Sequence, residues 1–173
     1  ESPHVVQLYG REPECMAEAA CILEREGADI IDLNFGCPAR KVIKNGSGCG
    51  VALMLDLHLM QVIARQVVDA VKIPVTAKTR LGYSAAHKNG VEAAKVLEQS
   101  GIQLITIHAR TREQGHAGHV DLSYLRDIVD AVGTPVIGNG GIRSAEDARK
   151  MVEQTGCAAV AVGQGAKGNP WVF

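Results

Sequence analysis

The feature that most constrains the fold is a repeated unit, in which a short apolar run precedes a stretch with helical periodicity. Six such runs occur in the 173 residues. Strands that alternate with amphipathic helices predict βαβ units, whose parallel strands are buried beneath helices. The sequence therefore predicts an α/β protein with a parallel sheet. The predicted strands are residues 5–9, 30–34, 75–79, 104–108, 136–139 and 159–163.

Helix start and stop signals lie between these runs. Pro13 suits the first turn of a helix that ends before Gly27, and Asp56 is a plausible N-cap for the next one. Ser144-x-x-Asp147 resembles a capping box. The other predicted helices cover about residues 56–70, 88–100, 123–132 and from Ser144 to near Gly156.

Polar residues at the ends of the predicted strands favour a barrel over an open dinucleotide-binding sheet. The glycines around residues 46–50 lack the G-x-G-x-x-G spacing of a dinucleotide fold. The last two strands lead into Gly138-Asn139-Gly140-Gly141 and Gly163-Gln164-Gly165, which can expose N–H groups to a phosphate, as in TIM barrels. We predict a partial TIM (β/α)8 barrel with about six units. The polar strand-end residues are Gln7, Asn34, Cys37, Lys78, His108 and Asn139.

Cys37 is the residue most suited to chemistry. The strand at 30–34 must stop by Pro38, so Cys37 lies where a strand opens into a glycine-rich loop. A small thiol that fills a strand end is the alternative. Three cations follow, Arg40, Lys41 and Lys44, which could be a solvated loop or could bind a phosphate backbone.

Composition excludes several classes of protein. A hydrophobic content of 46%, a charged content of 21% and a formal net charge of −1 indicate a globular chain with no global sign of nucleic-acid binding. No apolar stretch is long enough for a membrane span. The five cysteines lack disulfide or metal-ligand spacing, which predicts reduced thiols, no metal site and a cytoplasmic protein. For Cys15, Cys21 and Cys157 we expect a packing role.

Several motifs together resemble the tRNA-dihydrouridine synthase family, and most closely its bacterial B-type branch. They are VVQLYG, DLNFGCPARKV with the following G-x-G-x-G, TAKTR, IHART, GNGGI and VGQGAKGNPWVF, and they occur in family order over nearly the whole chain. The resemblance implies an FMN-binding TIM barrel followed by a helical tRNA-binding domain. It begins at the third barrel strand and stops after the eighth. We therefore expect residues 1–173 to be a partial barrel domain, without the first two strands and the helical domain.

The resemblance also implies an activity. The family reduces the C5=C6 bond of a uridine in tRNA with FMN that NADPH (or NADH) has reduced. Hydride goes to C6, and Cys37 would protonate C5 as the general acid. Asn34 would contact the uracil edge, although a strand-end cap is its alternative role. Arg40 and Lys41 would contact the tRNA, and Arg110 would support the same rim.

The remaining implied roles concern FMN. Lys78 would lie near N1 and O2 of the flavin, with Gln7 and His108 beside the ring. The phosphate would lie against the two glycine loops, through Asn139, Gly140, Gly141, Gly163 and Gln164. No role is assigned to Arg80, His116 or His119.

Two positions depart from the family pattern, and two alternative functions stay open. Gly141 stands where the family commonly has an acid, and Gln164 stands where it has an arginine that would pair with the phosphate. One alternative is a dihydroorotate-dehydrogenase-like enzyme acting on a free pyrimidine. The other is a catalytically silent barrel that binds a flavin or RNA. We expect the full-length protein to be monomeric.

Overall fold

A single parallel sheet organises the structure, a computed structural model that describes residues 2–44 and 48–173. Gly46 and the side chain of Lys44 lie outside the described part. The six strands follow one another across the sheet in chain order. They are β1 (Val5–Leu8), β2 (Ile30–Asn34), β3 (Val75–Arg80), β4 (Ile105–His108), β5 (Val136–Asn139) and β6 (Ala159–Ala161). The helices are α1 (Pro13–Arg25), α2 (Arg40–Lys44), α3 (Leu57–Ala70), α4 (Gly90–Gln99), α5 (Leu122–Ala131) and α6 (Ala145–Thr155).

The predicted capping signals are confirmed. Asp56 Oδ1 accepts a hydrogen bond of 3.0 Å from the N–H of Leu59, at the start of α3. At the start of α6, Ser144 Oγ accepts from the N–H of Asp147 at 3.2 Å, and the Asp147 carboxylate accepts from Ser144 Oγ at 3.0 Å. These bonds satisfy N–H groups that a helix start otherwise leaves unpaired. The strand predictions hold except at their ends, since β1 stops at Leu8 and β6 at Ala161.

The core lies between the outer face of the sheet and the helices. Ile31, Leu33, Ala77 and Ile105 point to this face, lie in register on neighbouring strands and are fully buried. Each buried leucine or isoleucine side chain contributes about 1.5–3 kcal/mol through loss of contact with water. The alternate residues of the same strands point to the inner face, which is polar and partly exposed.

One prediction about the core is wrong. Cys15 does not pack, because it lies on the exposed side of α1 while Met16 and Ala20 face the core. Cys21 is half-buried and its thiol donates to the carbonyl of Ala70 at 3.3 Å, whereas Cys157 is buried as expected. No disulfide bond joins any of the five cysteines, all of which lie in the described ranges.

The order of the strands distinguishes the two candidate folds. A doubly wound sheet reverses its strand order in the middle, whereas here β1 to β6 run without reversal. The helices form one layer on the outer face, in which α1 packs on α3, α3 on α4, α4 on α5 and α5 on α6. This is the arrangement of a TIM barrel, present here as six units of an open sheet. Within the described ranges, β1 and β6 each pair with only one other strand. No helix of that part is long and apolar enough to span a bilayer.

Candidate active site

The carboxyl ends of the strands surround a cleft of about 930 Å³. Parallel strands present these ends on one side of the sheet, which is where TIM barrels carry their chemistry. Most residues predicted from the sequence line this cleft: Gln7, Asn34, Cys37, Lys78, His108, Arg110, Asn139, Gly140, Gly141, Gly163 and Gln164. Arg40 and Lys41 do not line it, because they begin α2 and their side chains are exposed to solvent.

Backbone hydrogen bonds hold the loop that carries Cys37. Asn34 Oδ1 accepts from the N–H of Gly36 at 3.2 Å and from the N–H of Cys37 at 2.9 Å. Asn34 is therefore the strand-end cap that the sequence left as its alternative role. On the other side, the carbonyl of Cys37 accepts from the N–H of Val51 at 3.2 Å. This contact requires glycine at position 50, where φ is +61° and a Cβ would lie 2.8 Å from the Cys37 carbonyl oxygen.

Arg80 joins the Cys37 loop to the loop after β4. Its side chain is 2% exposed, and Nε donates to the carbonyl of Gly36 at 2.8 Å. Nη1 donates to the carbonyls of Thr111 and Gly115 at 3.1 and 2.8 Å. The pKa of Arg80 is lowered to about 10, mainly by burial; nearby Cys37 opposes the shift and Arg110 adds to it. Sequence reasoning gave Arg80 no role, yet its spacing of two from Lys78 places both on the inner face.

Lys78 is a partly buried cation on the inner face of β3. Its Nζ donates to Asn139 Oδ1 at 3.4 Å, and Asn139 Nδ2 donates to the carbonyl of Ala161 at 2.7 Å. Burial lowers the pKa of Lys78, as does Arg80, whereas the carboxylate of Asp32 raises it. A partly desolvated ammonium whose hydrogen bond goes to a neutral amide is well placed to bind an anionic ligand.

His108 is held neutral at the end of β4. Arg110 Nη1 lies 3.3 Å from His108 Nε2, and because a guanidinium only donates, Nε2 accepts and the ring proton is on Nδ1. Burial lowers the pKa of His108 to about 3, helped by Arg80, Lys78, Arg110 and His116. The imidazole therefore stays uncharged at neutral pH.

The loop after β4 closes over this histidine. The His116 ring, which sequence reasoning left without a role, lies 5.5 Å from that of His108 between centroids and also lines the cleft. Arg110 anchors the loop, because Nε and Nη2 donate to the carbonyl of Gly118 at 3.1 and 2.7 Å. Gly140 is required opposite the loop, since its φ is +112° and a Cβ would lie 2.8 Å from His108 Cδ2.

The cleft has a strong charge asymmetry. Its described lining residues include no carboxylate, although the whole chain has a formal net charge of −1. A concave surface of one charge concentrates ligands of the opposite charge. The described ranges contain no cluster of His, Cys, Asp or Glu that could hold a metal ion. The lining cations are Lys78, Arg80, Arg110, Arg143 and Lys167.

Arg143 and Lys167 were not predicted from the sequence as residues of the site. They line the cleft beside the glycine loops that follow β5 and β6, where Gly141, Gly163 and Gln164 are exposed. Each cation lies within three residues of its glycine loop, and that spacing was the available signal. Exposed glycine loops with two cations form a donor set that fits a phosphate group.

Comparisons with known proteins show the family of this chain and agree with its fold. The sequence model of the family described as dihydrouridine synthase (Dus) matches residues 1–173. A protein named probable tRNA-dihydrouridine synthase from Rickettsia bellii is 47% identical over 168 residues, which are 97% of this chain and 51% of that protein. The tRNA-dihydrouridine synthase B of Pseudomonas aeruginosa is 44% identical over 173 residues, or 100% of this chain and 52% of the relative.

Solved structures at lower identity support the fold alone. A mandelate racemase/muconate lactonizing enzyme-like protein from Roseovarius sp. TM1035 has a TM-score of 0.70 at 13% identity, covering 99% of this chain and 43% of that one. An N-succinyl Arg/Lys racemase from Bacillus cereus has a TM-score of 0.61 at 17% identity. The match covers 92% of this chain and 36% of the racemase chain.

The fold and the cleft define a TIM-barrel protein of the α/β class with a cation-lined cleft at the carboxyl ends of its strands. Within that class, the chain belongs to the dihydrouridine synthase family. It spans about half the length of the curated relatives that it matches.

Proposed function

We propose that this chain supplies the active-site cleft of a tRNA-dihydrouridine synthase, which reduces the C5=C6 bond of a uridine in tRNA. The observation that carries the proposal is the position of Cys37, a half-exposed thiol at the edge of a cleft lined by cations. Family membership and the names of the relatives support the same activity.

The cleft residues fit FMN as the cofactor. The loops at Gly140–Gly141 and Gly163–Gln164 would hold its phosphate, and Arg143 and Lys167 would supply the charge that an arginine at position 164 provides in the family. Lys78 and Gln7 would contact the flavin ring, where an ammonium favours the anionic reduced form. When bound, FMN that NADPH (or NADH) has reduced supplies the hydride that goes to C6 of the uracil.

Cys37 would supply the proton for C5. The S–H bond breaks as the C5–H bond forms, and the thiolate then takes a proton from water. Arg80 would hold the loop of Cys37 in place for this step, because its Nε donates to the carbonyl of the preceding residue, Gly36, at 2.8 Å. His108 is unsuited to the same role, since its Nε2 lone pair is directed at Arg110 and its pKa is lowered to about 3.

The substrate would enter above the Cys37 loop. Arg40 and Lys41 are exposed on α2, three and four residues after Cys37, where they would contact phosphates of the tRNA. Asn34 keeps one Nδ2 hydrogen for the uracil edge after it has capped the strand. Arg110 would support the same rim through its bonds to the loop after β4.

The substitution Cys37→Ala in the full-length protein tests the proposal. Reduction of FMN by NADPH should be retained, while reoxidation of the flavin by tRNA should fall by about 10²–10⁴, the usual contribution of a general acid. Stopped-flow absorbance of the flavin measures both steps. Cys15→Ser is the matched control, because it removes an exposed thiol of α1 that lies outside the cleft lining.

Two outcomes would count against the proposed function. Normal turnover of tRNA by the Cys37→Ala variant would remove the thiol from the mechanism. Reoxidation of the flavin by free pyrimidines, with none by tRNA, would favour the dihydroorotate-dehydrogenase-like alternative.

A further inference from the structure

We propose that Asp32 is a positioning residue, which sets the orientation of the Cys37 loop through the side chains of Gln7 and Asn34. The inference deepens the proposed function, because it identifies what holds the proton donor in place. Asp32 lies in the middle of β2, on the inner face and below the cleft lining.

A continuous chain of hydrogen bonds connects Asp32 to the loop. Asp32 Oδ2 accepts from Gln7 Nε2 at 2.6 Å, and Gln7 Oε1 accepts from Asn34 Nδ2 at 2.8 Å. Asn34 Oδ1 then accepts from the N–H groups of Gly36 and Cys37 at 3.2 and 2.9 Å. Three inner-face side chains from β1 and β2 thus end on the backbone of the Cys37 loop.

The donor-to-acceptor direction of these hydrogen bonds is fixed at both ends, by the backbone N–H groups and by the carboxylate of Asp32. Backbone N–H groups only donate, so the loop requires the oxygen of Asn34 and leaves its Nδ2 facing Gln7. Gln7 must then present its oxygen to Asn34 and its Nε2 to the next residue, which must be an acceptor. An ionised carboxylate is an acceptor at both oxygens. Asp32 therefore excludes the flipped orientation of either amide.

Asp32 is itself held by a second bond. Its Oδ1 accepts from Thr76 Oγ1 on the neighbouring strand β3 at 2.7 Å. Lys78, the nearest cation on that strand, directs its Nζ to Asn139 at 3.4 Å instead. Both oxygens of Asp32 are thus used for orientation, one on Thr76 and one on Gln7.

Reversing donors and acceptors tests this directional chain without large changes in side-chain size. Gln7→Glu places an oxygen opposite Asp32 and should break the chain. Adding Asp32→Asn should restore it, because the new amide nitrogen can donate to the new carboxylate while the amide oxygen still accepts from Thr76. Asn34→Asp should also break the chain, and Asp32→Asn should rescue it as well, with Gln7 flipped. These variants form two double-mutant cycles, one with Gln7→Glu and one with Asn34→Asp. The single variant Asp32→Asn is the remaining member of both cycles.

The main measurement is the alkylation rate of Cys37 by iodoacetamide in the full-length protein, read on its peptide by mass spectrometry. Exposed Cys15 serves as the internal reference. Each single variant, Gln7→Glu and Asn34→Asp, should change the rate by about fivefold, as expected for the loss of one hydrogen bond. Each double variant should return to within about twofold of the wild type.

The rescue distinguishes positioning from a general loss of stability. Double variants that alkylate like their parent single variants would overturn the proposal, as would single variants with the wild-type rate. If either Gln7→Glu or Asn34→Asp does not fold, the cycle built on the other variant still tests whether Asp32 positions the loop. If the wild-type protein does not reduce tRNA, the proposed function fails, but the thiol measurement still decides the role of Asp32. Asp69→Asn, which removes an exposed carboxylate on α3, controls for loss of charge and should leave the rate unchanged.

Discussion

The two faces of the sheet are made by alternate residues of the same six strands, yet they differ in almost every respect. The outer face carries Ile31, Leu33 and Ile105, which are fully buried beneath the helices. The inner face carries Asp32 and Lys78, which are only partly buried and make specific hydrogen bonds. Apolar contacts without direction stabilise one face, and directional polar contacts organise the other.

The difference indicates a division between stability and chemistry within single strands. A strand directs successive side chains to opposite faces, so the two functions can be assigned at neighbouring positions. The boundary is sharpest at the end of β2, where Asn34 and Cys37 belong to the cleft and Phe35 between them is fully buried. Substitutions at neighbouring positions should therefore have separable effects.

The largest expected effect is a loss of stability from a substitution at Phe35, on the buried side of the boundary between core and cleft. Phe35→Ala should lower the free energy of unfolding by about 3–5 kcal/mol, because it removes a fully buried aromatic ring and leaves a cavity. Chemical denaturation of the full-length protein measures this. Val152→Ala, at a 40% exposed position of α6, is the control and should change stability by less than about 0.5 kcal/mol. A loss below about 1 kcal/mol for Phe35→Ala would contradict the division between the faces.

A pH-dependent effect should come from the inner face. The pKa of His108 is lowered from 6.5 to about 3, so the folded protein keeps the ring neutral while the unfolded chain protonates it below pH 6.5. Stability should be complete above this pH and fall as the pH drops toward 3. The loss is about 1.4 kcal/mol at one pH unit below 6.5.

His108→Gln should flatten this part of the stability curve, as measured by denaturation at a series of pH values. His58→Gln, which replaces an exposed histidine of α3, controls for the loss of a histidine. An unchanged slope between pH 6.5 and 4 in His108→Gln would mean that another group carries the dependence.

The smallest expected effect has the opposite sign. Lys78→Met should raise the stability of the FMN-free protein by about 0.5–1 kcal/mol, because it removes a partly buried cation whose pKa is lowered by burial. It should also weaken FMN binding, measured by fluorescence titration. Lys95→Met, at an exposed position of α4, should change neither quantity appreciably. A destabilised Lys78→Met variant that binds FMN normally would contradict the assignment of Lys78 to ligand binding.

Much of the fold could be predicted because its signals are local. The alternation of strands and helices appears in the sequence as a change of hydrophobic period, and the caps at Asp56 and Ser144 act over three residues. Cys37 could be located at a strand end from Pro38 and the apolar run before it. Each signal depends on residues a few positions apart, which is why it can be read without a structure.

The contacts that build the cleft are not local, and only the tertiary structure decided them. Lys78 bonds to Asn139 across 61 positions, Arg80 bonds to Gly36 across 44, and Gln7 bonds to Asp32 across 25. Strand register brings these residues together, and no pattern within one segment encodes it. By itself the sequence determined an α/β chain of six units with polar strand ends and a thiol at one of them. The structure decided which cations share the cleft, that Arg40 and Lys41 lie outside its lining, and which amide orients the loop of Cys37, because these depend on packing between distant units.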